Sequence, residues 1–353
     1  MGMTDQADRA HYKGGRRTAP GQTGHGCPRA IAVALMATLV IASTWWGVSH
    51  IPSQGGPAQP AAQETQVDAG APAATEEAPE GETSSVPAVP EEPPVEARGL
   101  RDAIQMGGTP DSLPSSQGYA KLTRAIGALE DQGHGVGVYL CDLSSGATVT
   151  YRKDVRFYPA SSFKGPFAVA LYEMLVDTGQ VSSGDIDDLV SSMIVNSDNN
   201  AYTTLRKRYG MQMFGSWLKS FGFDPSDYGG QHTYRVYNYP YTTPDEFARM
   251  WAHMYAYLSS ESPSASYLSS LFEQRSVSAI SNAVGDNYRS WGKAGWYPHA
   301  ERDGATAATV DAGIVFSDTG TYLVVAMCDA PEDFDALTQV CSALDATHDA
   351  MVA

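Results

Sequence analysis

The 353-residue sequence is short of basic residues and of paired metal ligands, and each shortage argues against a class of protein. Lysine and arginine number 23 against 40 aspartates and glutamates, giving a net charge of -17. Such a charge opposes binding to nucleic acid, whose phosphates attract cations. The chain has no Cys-x-x-Cys or His-x-x-x-His spacing, so we predict no metal site and no cofactor.

Cysteines are few, and their number limits how they can pair. Of the four, Cys27 lies in the basic N-terminal segment, which leaves Cys141, Cys328 and Cys341 in the rest of the chain. An odd number leaves at least one thiol unpaired within one chain. We interpret all three as small buried apolar residues, with a Cys141–Cys328 disulfide as an open alternative.

Long apolar runs are also scarce, and residues 30–51 form the one that can cross a bilayer, which takes about 20 residues. Residues 1–29 are basic, whereas no lysine or arginine closely follows the run, which places the N-terminus in the cytoplasm. We predict a transmembrane signal-anchor over 30–51 and a single-pass protein of the cell membrane with an extracytoplasmic domain. A cleaved secretory signal is the alternative, and it would release the same domain as a secreted protein.

Residues 52–115 lack the apolar side chains that a packed core needs and are rich in proline, glutamate and alanine. Too little apolar surface is available there to offset the conformational entropy of the chain. Repulsion among the acidic side chains and the stiffness of the prolines extend such a segment. We therefore predict a disordered linker over 52–115 and a folded domain over 116–353.

Hydrophobic periodicity at the start of that domain predicts a helix followed by two strands. Apolar residues recur at helical spacing from Tyr119 to Leu129. Val136, Val138 and Leu140 alternate with other residues along 136–141, which predicts a strand, and residues 148–151 can return as the paired strand after a turn.

The end of the domain repeats the pattern in reverse order. Apolar runs at 312–316 and 322–327 are joined by Ser317-Asp318-Thr319-Gly320, which is typical of a hairpin, and a last helix is predicted after Pro331. Terminal helices would cover one face of an antiparallel sheet and a helical middle segment the other face. The predicted fold class is α+β.

A serine and a lysine lie one helical turn apart in an apolar setting, at Ser161 and Lys164. The desolvation of a lysine lowers its pKa and allows it to act as a base toward a neighbouring hydroxyl. Ser161 is therefore the candidate nucleophile and Lys164 its candidate base. Because Ser-x-x-Lys is common by chance, the weight of this pair depends on the motifs that follow.

Ser197-Asp198-Asn199 follows an apolar helical face, where a packed helix would meet a cleft. The hydroxyl of Ser197 can relay a proton to a leaving nitrogen, and the amide of Asn199 can hold a substrate backbone. We interpret Asp198 as structural, accepting backbone N–H groups at the turn.

Lys293-Ala294-Gly295 stands in residues 290–296, which are predicted to form a strand. Lys293 would attract a substrate carboxylate and oppose protonation of Lys164. Gly295 would allow the substrate backbone to approach closely.

In this order the three motifs resemble the Ser-x-x-Lys, Ser-Asp-Asn and Lys-Thr-Gly set of the class A β-lactamase family and its penicillin-binding relatives. The resemblance runs from about Gln117 to Leu344 and includes residues 156–161, Thr242-Thr243-Pro244 and residues 311–315. It implies an acyl-serine mechanism. By that resemblance, catalysis would use Ser161, Lys164, Ser197 and Lys293, substrate binding would use Asn199, Ala294, Gly295 and Trp296, and the backbone N–H groups of Ser161 and Trp296 would form the oxyanion hole.

The chain departs from that family in three ways. Ala294 replaces the hydroxyl residue of Lys-Thr-Gly, Ser197 lies only 36 positions after Ser161, and no glutamate occurs in residues 174–245, where such β-lactamases keep their deacylating acid. The acids available in the tyrosine-rich segment before Thr242, Asp224 and Asp227, have shorter side chains. Slow deacylation is therefore expected.

The resulting hypothesis is a monomeric, membrane-anchored serine hydrolase that acylates on Ser161 and releases β-lactams slowly. Its partners would be peptidoglycan stem peptides or β-lactams. Two alternatives remain open from the sequence: a non-catalytic module that binds cell-wall fragments, and an esterase or amidase of small substrates.

Overall fold

A computed structural model describes residues 104–223, 239–302 and 305–353 of the chain. The predicted basic leader, the predicted anchor, most of the predicted linker and the two aspartates Asp224 and Asp227 lie outside these ranges. Within the described ranges, none of the helices combines the length and the apolar character needed to cross a membrane.

Six antiparallel strands form one sheet in the order β1-β3-β2-β6-β5-β4. The strands are β1 (Ile104–Gly107), β2 (Val136–Asp142), β3 (Thr148–Tyr151), β4 (Arg289–Arg302), β5 (Ala305–Ser317) and β6 (Gly320–Cys328). Both strand pairs predicted from the sequence are present. The turn of the β5–β6 hairpin lies where Ser317–Gly320 predicted it, since Ser317 pairs with Gly320.

Nine α-helices are described. They are α1 (Gln117–Glu130), α2 (Lys164–Leu171), α3 (Asp187–Val195), α4 (Asn199–Tyr209), α5 (Gln212–Ser220), α6 (Pro244–Leu258), α7 (Pro263–Glu273), α8 (Ala279–Val284) and α9 (Phe334–Val352). The first and last of these, α1 and α9, pack against each other as the predicted terminal pair.

Alternation along the central strands divides the core into two layers. Val136, Val138 and Leu140 of β2 belong to the cluster that also holds the apolar faces of α1 and α9. Tyr139 and Cys141, one residue out of phase, pack against the cluster formed by the helical middle of the chain. Because side chains alternate across a strand, β2 contributes residues to both cores. The predicted α+β layering is confirmed.

The folded domain begins earlier than predicted, which corrects the boundary of the linker at residue 115. Residues 104–107 form strand β1 at the edge of the sheet and pair with β3. Only Ile104 of this strand is buried, and the next three residues are exposed. The strand is held largely by backbone hydrogen bonds, so it leaves little hydrophobic pattern in the sequence.

The Cys141–Cys328 disulfide does not form, and the register of β2 with β6 explains why. Val136 pairs with Cys328, whereas Cys141 pairs with Leu323 at the other end of the strand pair. At about 3.4 Å per residue, five positions separate the two thiols by far more than a disulfide can bridge. All three described cysteines are free; Cys328 and Cys341 are buried as expected, and Cys141 is half-buried.

Candidate active site

Ser161 lies in a tight turn that enters helix α2. Residues Ala160–Phe163 form a single 3-10 turn, and α2 starts at Lys164. The preceding Ala160 has a positive φ of 46°. A non-glycine residue in that region costs about 1–3 kcal/mol and persists only where the surrounding structure holds it. The turn is therefore a strained element fixed by its neighbours.

The segment before this turn is tied to the start of α6. Phe157 and Thr242 exchange backbone hydrogen bonds of 2.9 and 3.0 Å, and Arg156 forms an ion pair of 2.8 Å with Glu246. Thr243 caps α6 in a reciprocal capping box with Glu246. The Thr242-Thr243-Pro244 motif thus anchors the approach to Ser161.

Gly295 brings strand β4 directly against the Ser161 turn. A Cβ atom at this position would lie 2.3 Å from the Ser162 nitrogen, 2.4 Å from the Pro159 oxygen and 2.7 Å from the Ser161 nitrogen. The structure gives its own reason for a glycine here, because the close neighbour is the backbone of the turn. That Gly295 also lets a substrate backbone approach closely stays a prediction. The same contact places the β4 backbone beside the Ser161 amide, as the predicted oxyanion hole requires.

Replacing Gly295 with alanine should displace the Ser161 turn, since backbone atoms cannot yield as a flexible side chain can. We expect the covalent labelling of Ser161 by penicillin to slow by about 100-fold, because a displacement near 1 Å at a reacting group has an effect of that size. The labelling rate and the thermal midpoint of unfolding would be measured together. Gly184→Ala is the matched control, because its added Cβ meets only Ser182 Oγ at 3.8 Å; equal labelling rates in the two variants would contradict the prediction.

Ser197-Asp198-Asn199 forms the junction between α3 and α4. Asp198 is the N-cap of α4, and its carboxylate accepts from the backbone N–H groups of Asn200 and Ala201 and from Ser192 Oγ. Its predicted structural role is confirmed. These hydrogen bonds lower the pKa of Asp198. Ser197 has a positive φ of 57°, so the motif is a second point of backbone strain in the site.

Two buried lysines converge on this junction from different elements. Lys164 Nζ donates to the Ser197 backbone oxygen at 2.5 Å and to Asn199 Oδ1 at 2.7 Å. Lys293 Nζ donates to Ser197 Oγ at 3.0 Å and to the Ala294 oxygen at 2.8 Å. The three motifs that the sequence singled out are thereby brought into one hydrogen-bonded group.

Burial makes both ammonium groups easier to deprotonate than an exposed lysine. Desolvation lowers the pKa of Lys164 to about 8, although the charge of Asp198 acts in the opposite direction. Desolvation and the nearby charge of Lys164 lower the pKa of Lys293 to about 7. Both amines can therefore exchange protons near neutral pH, which a base or a proton relay requires.

Ser161 itself is half-buried, and its side chain contacts a different partner from the one predicted. Among the residues that the structure describes, Lys164 does not hydrogen-bond to Ser161; the Ser161 hydroxyl instead contacts the hydroxyl of Tyr239. Catalytic contacts are often long before substrate binds, so this arrangement remains compatible with Lys164 as the base.

Tyr239 is the site residue that the sequence reasoning did not single out. Its hydroxyl also donates to Asn199 Oδ1 at 3.2 Å, and its ring stacks on that of Tyr202. The signal available in the sequence was an unusual density of tyrosines ahead of Thr242. That density did not indicate which of them faces the nucleophile.

Two further predicted substrate-binding residues, Ala294 and Trp296, differ in how far their side chains are buried. Ala294 is completely buried, so its methyl group is closed to solvent, and its predicted place in substrate binding stays a prediction. Trp296 is half-buried, with its ring packed edge-on against Phe334. Its predicted contribution to the site is its backbone N–H group. The packing of the ring does not involve that group, so the contribution stays a prediction.

Within residues 104–223, 239–302 and 305–353, no three His, Cys, Asp or Glu side chains come close enough together to hold a metal ion.

A sequence model described as the β-lactamase enzyme family matches residues 120–185 and 174–347, more than half of the chain. No curated protein matches the chain.

Solved structures share the fold at low identity. A β-lactamase from Sphaerobacter thermophilus is 22% identical with a TM-score of 0.53, covering 65% of this chain and 97% of its own. A β-lactamase from Chitinophaga pinensis is 18% identical with a TM-score of 0.53, covering 67% and 99%. A PBP-A variant, solved as an acyl-enzyme complex with penicillin G, is 19% identical with a TM-score of 0.50, covering 64% and 95%.

Proposed function

The chain belongs to the β-lactamase enzyme family, and on that basis we propose that it is a serine hydrolase that acylates on Ser161 with β-lactams or D-Ala-D-Ala peptides. The observation that supports this most directly is the convergence of Lys164 and Lys293 on Ser197 and Asn199 beside Ser161. Two buried lysines with lowered pKa are costly to a fold and are typical of a site that moves protons.

In the proposed acylation, the Ser161 oxygen forms a bond to the carbonyl carbon of the substrate while its proton passes to neutral Lys164. The C–N bond then breaks as the leaving nitrogen takes the proton of the Ser197 hydroxyl. Lys293, which donates to that oxygen, replaces the proton. With a pKa of about 8, roughly one Lys164 side chain in ten is neutral at pH 7.

Release of the acyl group needs an activated water, and we propose that this step is slow. Residues 174–245 contain no glutamate, and the carboxylate of Asp198 is committed to capping α4. A slow second step suits a D,D-peptidase-like enzyme acting on peptidoglycan stems better than an efficient β-lactamase. The penicillin acyl-enzyme of PBP-A, which has the same fold, is consistent with this chemistry.

A non-catalytic binding module is the second candidate, and the buried Ala294 is the observation that favours it. The loss of the hydroxyl in the third motif removes one hydrogen bond to a substrate carboxylate, worth about 1 kcal/mol. Such a loss weakens binding but leaves the nucleophile and both lysines in place. Covalent labelling separates a module of this kind from an enzyme.

For location, we propose that residues 30–51 anchor the chain in the cell membrane and that the folded domain is extracytoplasmic. The apolar run and the basic residues before it support this arrangement. Peptidoglycan stem peptides would then be within reach of the site.

The test is to incubate the full-length protein with a fluorescent penicillin and follow its intact mass before and after a chase. We expect an adduct that maps to Ser161 by peptide analysis and persists through the chase. A protein that acquires no adduct would contradict acylation. Rapid turnover of the drug would contradict slow release.

A further inference from the structure

Tyr239 joins the candidate nucleophile to the candidate substrate-binding amide. Its hydroxyl contacts the Ser161 side chain and donates to Asn199 Oδ1 at 3.2 Å. Asn199 Oδ1 also accepts from Lys164 Nζ at 2.7 Å. One phenol group therefore lies between two residues separated by 38 positions in the sequence, with the candidate base on the far side of Asn199.

The ring of Tyr239 is held by side chains that belong to the catalytic motifs' own segments. It stacks on Tyr202 of α4, with ring centroids 5.0 Å apart and planes at 16°. It meets Tyr158, three residues before Ser161, edge-on at 6.3 Å. Lys164 Nζ lies 5.9 Å from the centre of the ring. These contacts fix the hydroxyl, because a ring packed on two sides cannot turn freely.

The hydroxyl of Tyr239 is neutral in this setting. Burial raises the pKa of the phenol well above its usual value, against a smaller opposing effect of the hydrogen bond from Ser161. A neutral phenol both accepts and donates one hydrogen bond. It can accept from the Ser161 hydroxyl and donate to Asn199, but it does not remove the serine proton as a phenolate would.

The two donors on Asn199 Oδ1 also determine which way its amide points. Since Lys164 and Tyr239 both donate to the oxygen, the –NH2 group is on the opposite branch of the amide, and Asn199 is exposed. The –NH2 group of this exposed residue is free of those two donors and can donate to a carbonyl oxygen of a peptide or β-lactam, which an inverted amide could not do.

We propose that Tyr239 is a positioning residue that orients the Ser161 hydroxyl and the Asn199 amide together before substrate binds. This inference rests on the proposed acylation at Ser161. It assigns no proton transfer to Tyr239, whose part is to hold two groups at the geometry in which attack and substrate binding coincide.

The test compares Tyr239→Phe with Tyr241→Phe in the full-length protein. Phenylalanine keeps the ring contacts and removes only the hydroxyl. Tyr241 is a matched control. It lies two residues after Tyr239 in the sequence, and its hydroxyl accepts from the Thr306 backbone N–H at 3.0 Å. The quantities measured are the first-order rate of acylation at saturating penicillin, the concentration that gives half that rate, and the dependence of the rate on pH.

We expect Tyr239→Phe to lower the saturating rate about fivefold to tenfold, the size of one lost hydrogen bond between neutral groups. The midpoint of the pH dependence should stay where it is in the wild type, since the base is unchanged. A rate within about twofold of Tyr241→Phe would overturn the proposal. Loss of the pH dependence of the acylation rate in Tyr239→Phe would also overturn the proposal, because Tyr239 would then be the base.

A small fluorophosphonate separates this inference from the proposed substrates. It reports the reactivity of Ser161 whatever the natural substrate is, and the same ratio between the two variants is expected. A wild-type protein that reacts with the fluorophosphonate but not with penicillin would contradict the proposed substrates. The ratio of the labelling rates of Tyr239→Phe and Tyr241→Phe would still test the role of Tyr239. A protein that reacts with neither would contradict both.

Discussion

Replacing Ser161 with alanine is expected to abolish covalent labelling by penicillin completely, because the alanine side chain has no oxygen to form the acyl bond. The half-buried hydroxyl contacts Tyr239, so its removal should change the free energy of unfolding by only about 1 kcal/mol. Labelling measured by intact mass should therefore vanish in a protein whose thermal midpoint is close to that of the wild type.

Ser162 supplies the complementary control. Its side chain is fully buried and donates to the Pro159 oxygen at 2.6 Å. Ser162→Ala removes this hydrogen bond, but the Ser162 backbone N–H still donates to the same oxygen at 3.2 Å. The free energy of unfolding should therefore fall by only about 1 kcal/mol, and the protein should still be labelled. An adduct that persists in Ser161→Ala would show that the nucleophile lies elsewhere.

Replacing Lys164 with methionine is expected to slow acylation by about 10²–10⁴-fold, the usual contribution of a general base. In the wild type the acylation rate should rise with pH through about 8, because only the neutral amine of Lys164 accepts the serine proton and burial has lowered its pKa to about 8. Below that pH the rate should fall about tenfold per unit. In Lys164→Met the acylation rate should no longer rise with pH in this range.

The pH profile also distinguishes the two lysines. Lys293 has a pKa lowered to about 7, in part by the charge of Lys164. Because Lys164→Met removes that charge, a rise with pH that survives in this variant with its midpoint above 7 would make Lys293 the base. Lys153→Met is the surface control, since Lys153 pairs with its neighbour Asp154 at 2.7 Å. It should leave both the rate and its pH dependence unchanged.

The strands and helices that carry a strong period were predictable because their signal is local. Val136, Val138 and Leu140 alternate along one strand, and the residues from Tyr119 to Leu129 repeat at helical spacing. Such patterns record which face of an element is buried. Strand β1 was missed because three of its four residues are exposed, so its existence depends on backbone bonds to β3.

The identities of the candidate catalytic groups were also readable before the structure. Ser161, Lys164, Ser197, Asn199 and Lys293 were each named from short motifs, and the structure brings all five together. Residue type decides which group can be a nucleophile, a base or a donor, and short motifs record residue type directly. The capping role of Asp198 was predictable for the same reason, since the contact spans only three residues.

Residue types and local periodicity were therefore enough to predict the chemical groups of the site and the layered α+β class of the domain. Three facts could not be predicted in this way: Gly295 makes room for the Ser161 turn, Ala294 is buried, and Tyr239 is the tyrosine beside Ser161. These facts depend on how β4 and the segment before α6 pack against the Ser161 turn. Contacts between residues 40 or 96 positions apart arise from that packing, and no local period encodes them.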